Sequence, residues 1–395
     1  IRRATAARKR PAVDRHAATR RPVLPILGAM ITVGNHSLGQ GRPCLVVAEL
    51  GTGHLGSMAR ARELVDAAAA SNADCAKLQL VYADEILHPR AGTVDLPTGR
   101  VELHRQFRDL EQPVSFYADL KRYVESKGLL FLCSPFGIRS ARDLRALGVD
   151  ALKIASPELN HLPLLQEVSG YDLPLMLSTG VSMLADIERA LELTGRDRVV
   201  LLHCITAYPA PELEYNVSLL ASLAAVFGVE AGLSDHSMDP ELVPVLAVLH
   251  GARVVEKHFT LSRAGAGLDD PIALEPAAFA RMVAAIREAE AAGPAATLHR
   301  LERDYGPERL RAVIGTGVKE LAPSERANYR RTNRSIHAVG DLRAGDEITA
   351  EAVAVLRTEK VLRPGLGPEF LRVVIGRKAA RDIPAGEGVT WEDVR

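Results

Sequence analysis

The sequence predicts an α/β protein: a (β/α)8 TIM barrel followed by a small, β-rich C-terminal domain. Between residues 44 and 259, eight short apolar runs rich in β-branched residues alternate with amphipathic, helix-like stretches, the pattern of βα units in a parallel sheet. Eight is the number of strands that closes such a barrel. Beyond residue 330 an internal repeat matches His337–Val353 to Lys378–Val394. Each copy reads as a strand, an Ala-Gly-acid turn, a short apolar segment and a Thr-capped helical turn.

The eight runs are CLVVAEL (44–50), CAKLQLV (75–81), LLFLCSP (129–135), ALKIAS (151–156), PLMLSTG (174–180), VVLLHC (199–204), AGLSDHS (231–237) and RVVEKHF (253–259). After Ser57, an expected N-cap, Met58, Ala61, Leu64, Val65 and Ala68 share one helical face; Phe279, Met282, Val283 and Ile286 do the same after the eighth run. An open doubly wound sheet is the competing arrangement, but it usually has fewer strands. The connection through residues 82–115 is long enough to be expected to cover a site. Residues 294–330 are charged and hold several turn formers, as a linker would. The expected organisation is a basic, disordered tail (1–30), a barrel domain (31–294), a linker (295–330) and a C-terminal domain (331–395).

Composition narrows the function. The 395 residues carry 49 basic and 49 acidic side chains, so no global field favours nucleic acid or an anionic membrane, and any anion site is local. Arginines and one lysine crowd residues 1–21, without apolar periodicity. The four cysteines, Cys44, Cys75, Cys133 and Cys204, lie in apolar runs without CxxC spacing, as reduced core residues would. With no membrane-length apolar stretch and no signal-peptide region, a cytoplasmic protein is expected. Walker and GxSxG patterns do not occur, which argues against P-loop chemistry and a serine hydrolase; one GxGxxG spacing does occur, from Gly51 to Gly56 after the first run.

Strand ends at the C-terminal face of a TIM barrel build its active site. The polar residues there are Glu49, Lys77, Gln79, Ser134, Lys153, Ser156, Ser178, His203, Ser234, Asp235, His236, Glu256, Lys257 and His258. Lys77 and Lys153 each interrupt a buried run, where an unpaired ammonium costs several kcal/mol of desolvation. They read as a phosphate or carboxylate clamp, or else as structural partners of Glu49 or Asp235. His236 and His258 end runs seven and eight, so their imidazoles can converge on a divalent metal; the alternative is a pair of hydrogen-bonded core histidines. Asp269 adds an acid just beyond them, or serves only its turn.

These residues, in this order, resemble the sialic acid synthase family, the synthases of N-acetylneuraminic, legionaminic and pseudaminic acids. The matching stretches include Ala48-Glu-Leu-Gly51 with His54-Leu-Gly56, Ala76-Lys-Leu-Gln79, Leu152-Lys-Ile-Ala-Ser-Pro-Glu158, Leu177-Ser-Thr-Gly180, Tyr208-Pro209, Gly232-Leu-Ser-Asp-His236, Glu256-Lys-His-Phe259 and Gly267-Leu-Asp269. The C-terminal repeat resembles the family's SAF module, similar to type III antifreeze protein, with Asn333-Arg-Ser335 at its start. The resemblance implies condensation of phosphoenolpyruvate with the aldehyde of an amino-sugar aldose. It also implies a divalent metal, usually manganese with magnesium or cobalt as alternatives, held by His236 and His258. Lys77 and Lys153 with Ser156, Ser178 and Ser234 would hold phosphoenolpyruvate. Glu49 and Asp269 would handle protons or order water and sugar hydroxyls, and Gln79, Thr206 and Tyr208 would line the pocket. Arg334 would reach into the barrel of a second subunit, implying a domain-swapped homodimer. The chain departs from the family pattern at Gly53, Thr206 and Leu268, which bears on the acceptor. Rival readings are an octulosonate- or heptulosonate-phosphate synthase, which is not expected to carry a SAF module, and a non-catalytic sugar- or ice-binding protein, which would have no use for the paired histidines and lysines.

Overall fold

The structure, a computed structural model, describes residues 30–96, 99–359 and 361–395. The basic stretch 1–21 lies outside the described residues. The eight predicted runs become strands β1 (Leu45–Gly51), β2 (Cys75–Leu80), β3 (Leu130–Pro135), β4 (Leu152–Ile154), β5 (Leu175–Ser178), β6 (Val199–Cys204), β7 (Glu230–Asp235) and β8 (Val254–His258). Each pairs in parallel with the next, and β8 returns to β1 with His258 opposite Glu49, closing the barrel.

Helices α1 (Met58–Ala70), α2 (Val114–Ser126), α3 (Ile138–Leu147), α4 (Leu162–Ser169), α5 (Leu184–Thr194), α6 (Leu219–Phe227), α7 (Leu242–Leu249) and α8 (Pro276–Ala292) form the outer layer. Ser57 Oγ caps α1 by accepting the Arg60 N–H at 3.3 Å, and Ala61, Leu64, Val65 and Ala68 are its buried face. The main core lies between strands and helices. A second, inner core fills the bottom of the lumen, where a hairpin of Ile31–Val33 and His36–Leu38 plugs the barrel with Ile31, Val33 and Leu38. Gly34, at φ 55°, makes its turn. With its bottom sealed by side chains, the barrel opens only toward the C-terminal strand ends.

The stretch expected as a linker is helical over much of its length: α9 spans Pro294–Tyr305 and α10 Pro307–Ile314. Each begins with Pro directly after Gly293 or Gly306, and α10 ends at Gly315. The turn formers are therefore helix boundaries. Leu301, Leu310 and Val313 join the barrel core.

The C-terminal module pairs β9 (Arg334–Ala338) with β10 (Val353–Arg357) around Ile336, Ile348, Val374, Ile383 and Val389. Its repeat is structural. Leu342 and Ile383, equivalent positions of the two copies, exchange backbone hydrogen bonds at 2.9 and 2.8 Å. The bridges His337 to Gly388 and Glu347 to Lys378 are each other's counterparts about the same pseudo-twofold. Among the described residues no helix is long and apolar enough to cross a membrane.

Burial holds three enclosed imidazoles, His54, His203 and His337, down to about 4 from the ordinary 6.5. Between those values the unfolded chain binds protons that the fold refuses, so stability falls as pH drops from 6.5 toward 4. Each group contributes up to about 1.4 kcal/mol per pH unit. Urea midpoints should decline steadily over that window; a flat profile would contradict the assignment.

Candidate active site

Alternation along the strands decides which side chains enter the lumen. Glu49 from β1, Lys77 and Gln79 from β2, Ser134 from β3, Lys153 from β4, Ser178 from β5, Ser234 from β7, and Glu256 and His258 from β8 all line one cavity of about 400 Å³. Asp235, Lys257 and His203 fall on the opposite phase. They lie behind the barrel wall, where Lys257 meets Asp235 at 2.6 Å and the His203 ring donates to the Tyr215 carbonyl.

The floor is a buried charge cluster. Lys77 Nζ lies 2.8 Å from Glu49 Oε2, 3.6 Å from Glu256 Oε2 and 3.3 Å from Ser134 Oγ, while Lys153 Nζ lies 3.5 Å from Glu256 Oε1. Gln79 donates to Glu49 at 2.6 Å and Ser234 to Glu256 at 3.0 Å. Burial alone would lower both ammonium groups. Glu256 and Glu49 overcome this for Lys77, whose pKa rises, whereas that of Lys153, with Glu256 close by and Lys77 opposing it, is lowered. Burial would raise Glu256, but Lys153 and Lys77 prevail and take it to about 2. The structural-pair reading thus holds for Lys77 with Glu49, whereas Lys153 pairs with Glu256 and Asp235 with Lys257. On the wall above, Ser178 Oγ and Thr206 Oγ1 are buried without a partner. Two such hydroxyls lining the same cavity as Lys77 and Lys153 are free donors for an anionic ligand.

His236, just beyond β7, and His258 bring their rings to 5.2 Å, with the Tyr208 ring 4.3 Å from His236. His236 Nδ1 donates to the Ile205 carbonyl at 2.8 Å, which leaves Nε2 free. Burial, reinforced by neighbouring His236, pushes His258 down to about 3, so it stays a neutral, lone-pair-bearing imidazole. Asp269 Oδ2 stands 3.6 Å from His258 Nδ1. Among the described residues no three His, Cys, Asp or Glu side chains are grouped so that they could hold a metal ion.

The mouth is roofed from two directions. The long connection after β2, with a hairpin of Thr93–Leu96 and Gly99–Glu102, contributes Val94, Leu103 and Phe107. The C-terminal module contributes Arg357, and the segment before it Asn328 and Thr332. Arg334 is not at the cavity. Its fully buried guanidinium binds Glu158 Oε1 at 2.8 Å and the Phe136 carbonyl at 2.7 Å, and it also donates to the Glu85 carbonyl, all in the barrel of its own chain. Arg357 joins the same carboxylate at 2.7 Å. Within this chain, pairing with a buried carboxylate claims the Arg334 cation for docking the C-terminal module, and Arg357 takes the position at the mouth. Arg334→Ala should cost about 3–5 kcal/mol of stability by stripping a buried ion pair. Calorimetry with limited proteolysis of residues 315–333 would register this, and an unchanged melting temperature would contradict it.

The NeuB family model matches residues 64–296, more than half of the chain, and a SAF domain model matches residues 333–395. The chain belongs to the NeuB family. The spore coat polysaccharide biosynthesis protein SpsE of Bacillus subtilis is 32% identical over 372 residues, spanning 93% of this chain and 97% of that protein. Its crystal structure superposes with a TM-score of 0.78 at 31% identity, covering 93% of this chain and 99% of that one. The N,N'-diacetyllegionaminic acid synthase of Legionella pneumophila is 30% identical over 367 residues, spanning 90% of this chain and 96% of that protein. A solved N-acetylneuraminic acid synthetase from Leptospira borgpetersenii gives a TM-score of 0.62 at 28% identity, covering 71% and 98%.

Within this NeuB-family chain the three departures separate in space. Thr206 and Leu268 line the cavity, whereas Gly53 lies outside it, where an added Cβ would stand 2.9 Å from the Leu50 carbonyl. Glu256 and Arg357 are among the cavity residues to which the sequence alone assigned no role. Glu256 was legible: it lies two residues before His258 on β8, hence on the same face. Arg357 had no signal, because nothing local tells which end of the C-terminal module faces the barrel.

Proposed function

We propose that the NeuB-family protein condenses phosphoenolpyruvate with the aldehyde of an N-acylated amino sugar, N-acetylmannosamine or a relative, giving a nonulosonic-type 2-keto sugar acid and phosphate. The observation that carries this reading is the convergence, in one cavity, of two inward ammonium groups, two partnerless hydroxyls and two imidazoles with free lone pairs. Similarity to synthases of N,N'-diacetyllegionaminic and N-acetylneuraminic acid supports it.

Lys77 and Lys153, with Ser156, Ser178 and Ser234, grip the phosphate and carboxylate of phosphoenolpyruvate and fix the face of its double bond. Both lysines are already balanced by Glu49 and Glu256, so further positive charge is needed to hold a trianion. A divalent metal on His236 and His258, manganese foremost, would supply that charge and Lewis-acid polarisation of the aldehyde. Two imidazoles fit a catalytic site that keeps open positions for water and substrate. Carbon 3 of phosphoenolpyruvate bonds to the aldehyde carbon, water adds to carbon 2, and the carbon–oxygen bond to phosphate breaks. Glu49, oriented by Gln79 and Lys77, and Asp269 at the mouth receive the water's proton and return one to the new hydroxyl. Burial pushes the Asp269 carboxyl up, which suits it to holding a proton. Tyr208 closes the wall beside His236.

The acceptor's far end meets Val94, Leu103, Phe107 and Leu268, an apolar wall that favours a sugar with an acyl or other apolar substituent there. The test is phosphate release from phosphoenolpyruvate with manganese and a panel of N-acetyl and di-N-acetyl hexosamines. Release matched to keto-acid formation with one sugar is expected. No turnover with any sugar, together with no binding of phosphoenolpyruvate, would overturn the reading.

A further inference from the structure

Glu325 belongs to a short turn, Pro323–Glu325, in the segment between α10 and the C-terminal module, and it is 1% exposed. It does not line the active-site cavity. Its Oε1 accepts the backbone N–H of Val181 at 2.8 Å and of Thr206 at 2.7 Å, while Oε2 accepts that of Ala322 at 3.3 Å. The first two amides belong to the turns that follow β5 and β6, which carry Ser178 and Thr206 to the cavity.

The same C-terminal region grips the β5 turn at two further points. Lys319 Nζ donates to the Thr179 carbonyl at 3.0 Å, and Asn333 Nδ2 to the Val181 carbonyl at 3.1 Å. The grip has something to hold. Val181 sits at φ 42°, a left-handed conformation that a β-branched residue keeps only when its surroundings impose it. Directly before it, Gly180 packs so closely that a Cβ would run into Thr206 Oγ1 and Ser156 Oγ, and its N–H reaches Ser156 Oγ at 3.1 Å. The two turns thus close on each other with Glu325 bridging them from behind, and the hydroxyls of Ser178 and Thr206 are left without partners on the cavity side.

We propose that Glu325 is a positioning residue: from outside the barrel it locks the strained turn after β5 to the turn after β6, and so sets the hydroxyl wall of the anion subsite. That the anion is phosphoenolpyruvate rests on the function proposed above; the lock itself does not.

The test uses the full chain with Glu325→Ala, Glu325→Asp and Glu325→Gln, read by amide hydrogen exchange across residues 178–183 and 205–208 and by steady-state kinetics. With both charge-assisted bonds gone, Glu325→Ala should exchange about 10-fold faster or more at Val181 and Thr206 while the barrel strands stay protected. The KM for phosphoenolpyruvate should rise about 10-fold with kcat within about 3-fold of wild type. Glu325→Gln keeps an acceptor oxygen and should restore both readouts to within about 3-fold; Glu325→Asp, one methylene short, should resemble alanine. Wild-type exchange in Glu325→Ala would overturn the proposal. So would faster exchange throughout the barrel with equal losses for both substrates, since that is what a merely structural role would give. If Glu325→Ala does not fold, Glu325→Asp decides, and wild-type exchange there overturns it. Absence of phosphoenolpyruvate turnover in the wild type would sink the proposed function, while exchange still judges the lock.

Discussion

Replacing His236 by alanine should abolish metal-dependent turnover, by about 10³-fold or more, while the protein stays folded. In the proposed function His236 is one of the two imidazoles that would hold the metal; its Nδ1 is tied to the Ile205 carbonyl and the residue lines the cavity. The substitution leaves that carbonyl without its donor, a cost of about 1–3 kcal/mol, which a chain with a core this extensive should survive. Manganese binding by equilibrium dialysis provides a readout independent of activity and should weaken in parallel. The pH dependence of binding near neutrality should come from groups other than His258, which is already neutral above about pH 3. Full activity in His236→Ala would remove the metal assignment.

Lys77→Met should be damaging in two separable ways. The ammonium stands between Glu49 and Glu256, so its loss leaves two enclosed carboxylates with one remaining counter-charge, Lys153. Breaking a buried pair in this way costs about 3–5 kcal/mol, measurable as a lowered urea midpoint. Affinity for phosphoenolpyruvate should fall by about 10²-fold or more, since a buried hydrogen-bonded charge facing the anion is lost. The pH dependence carries a definite sign. Glu256 is held at about 2 against its ordinary 4.5, so its pairing stabilises the fold above pH 4.5, and this is lost as pH falls toward 2. The gap between wild type and Lys77→Met should therefore narrow in acid. A variant of wild-type stability at neutral pH that binds phosphoenolpyruvate normally would show that the cluster is neither structural nor catalytic.

Much of this site was legible because a strand's side chains alternate with a fixed period. Lys77 and Gln79 on β2, and Glu256 and His258 on β8, sit two apart and therefore enter the lumen together, while Asp235 and Lys257 fall on the other phase and pair behind the wall. The helical faces of α1 and α8 followed from spacing in the same way. Reading went astray where one signal has two meanings. Gly-Pro at 293–294 and at 306–307 marks a linker or a helix start, and only Leu301, Leu310 and Val313 meeting the barrel decides for α9 and α10.

The sequence by itself determined the βα alternation, the barrel's eight staves, the inward lysines and histidines and the repeated C-terminal module, because each follows from local periodicity and from where a Cβ must point. Only the tertiary structure decided which carboxylate balances which ammonium. It also decided that Arg334 docks on Glu158 while Arg357 reaches the cavity, and that Glu325 stands behind Val181 and Thr206. All of those pairings but Lys77 with Glu49 join residues more than a hundred positions apart, where the desolvation and hydrogen-bonding energies that select a partner exist only once the chain has brought both groups out of water.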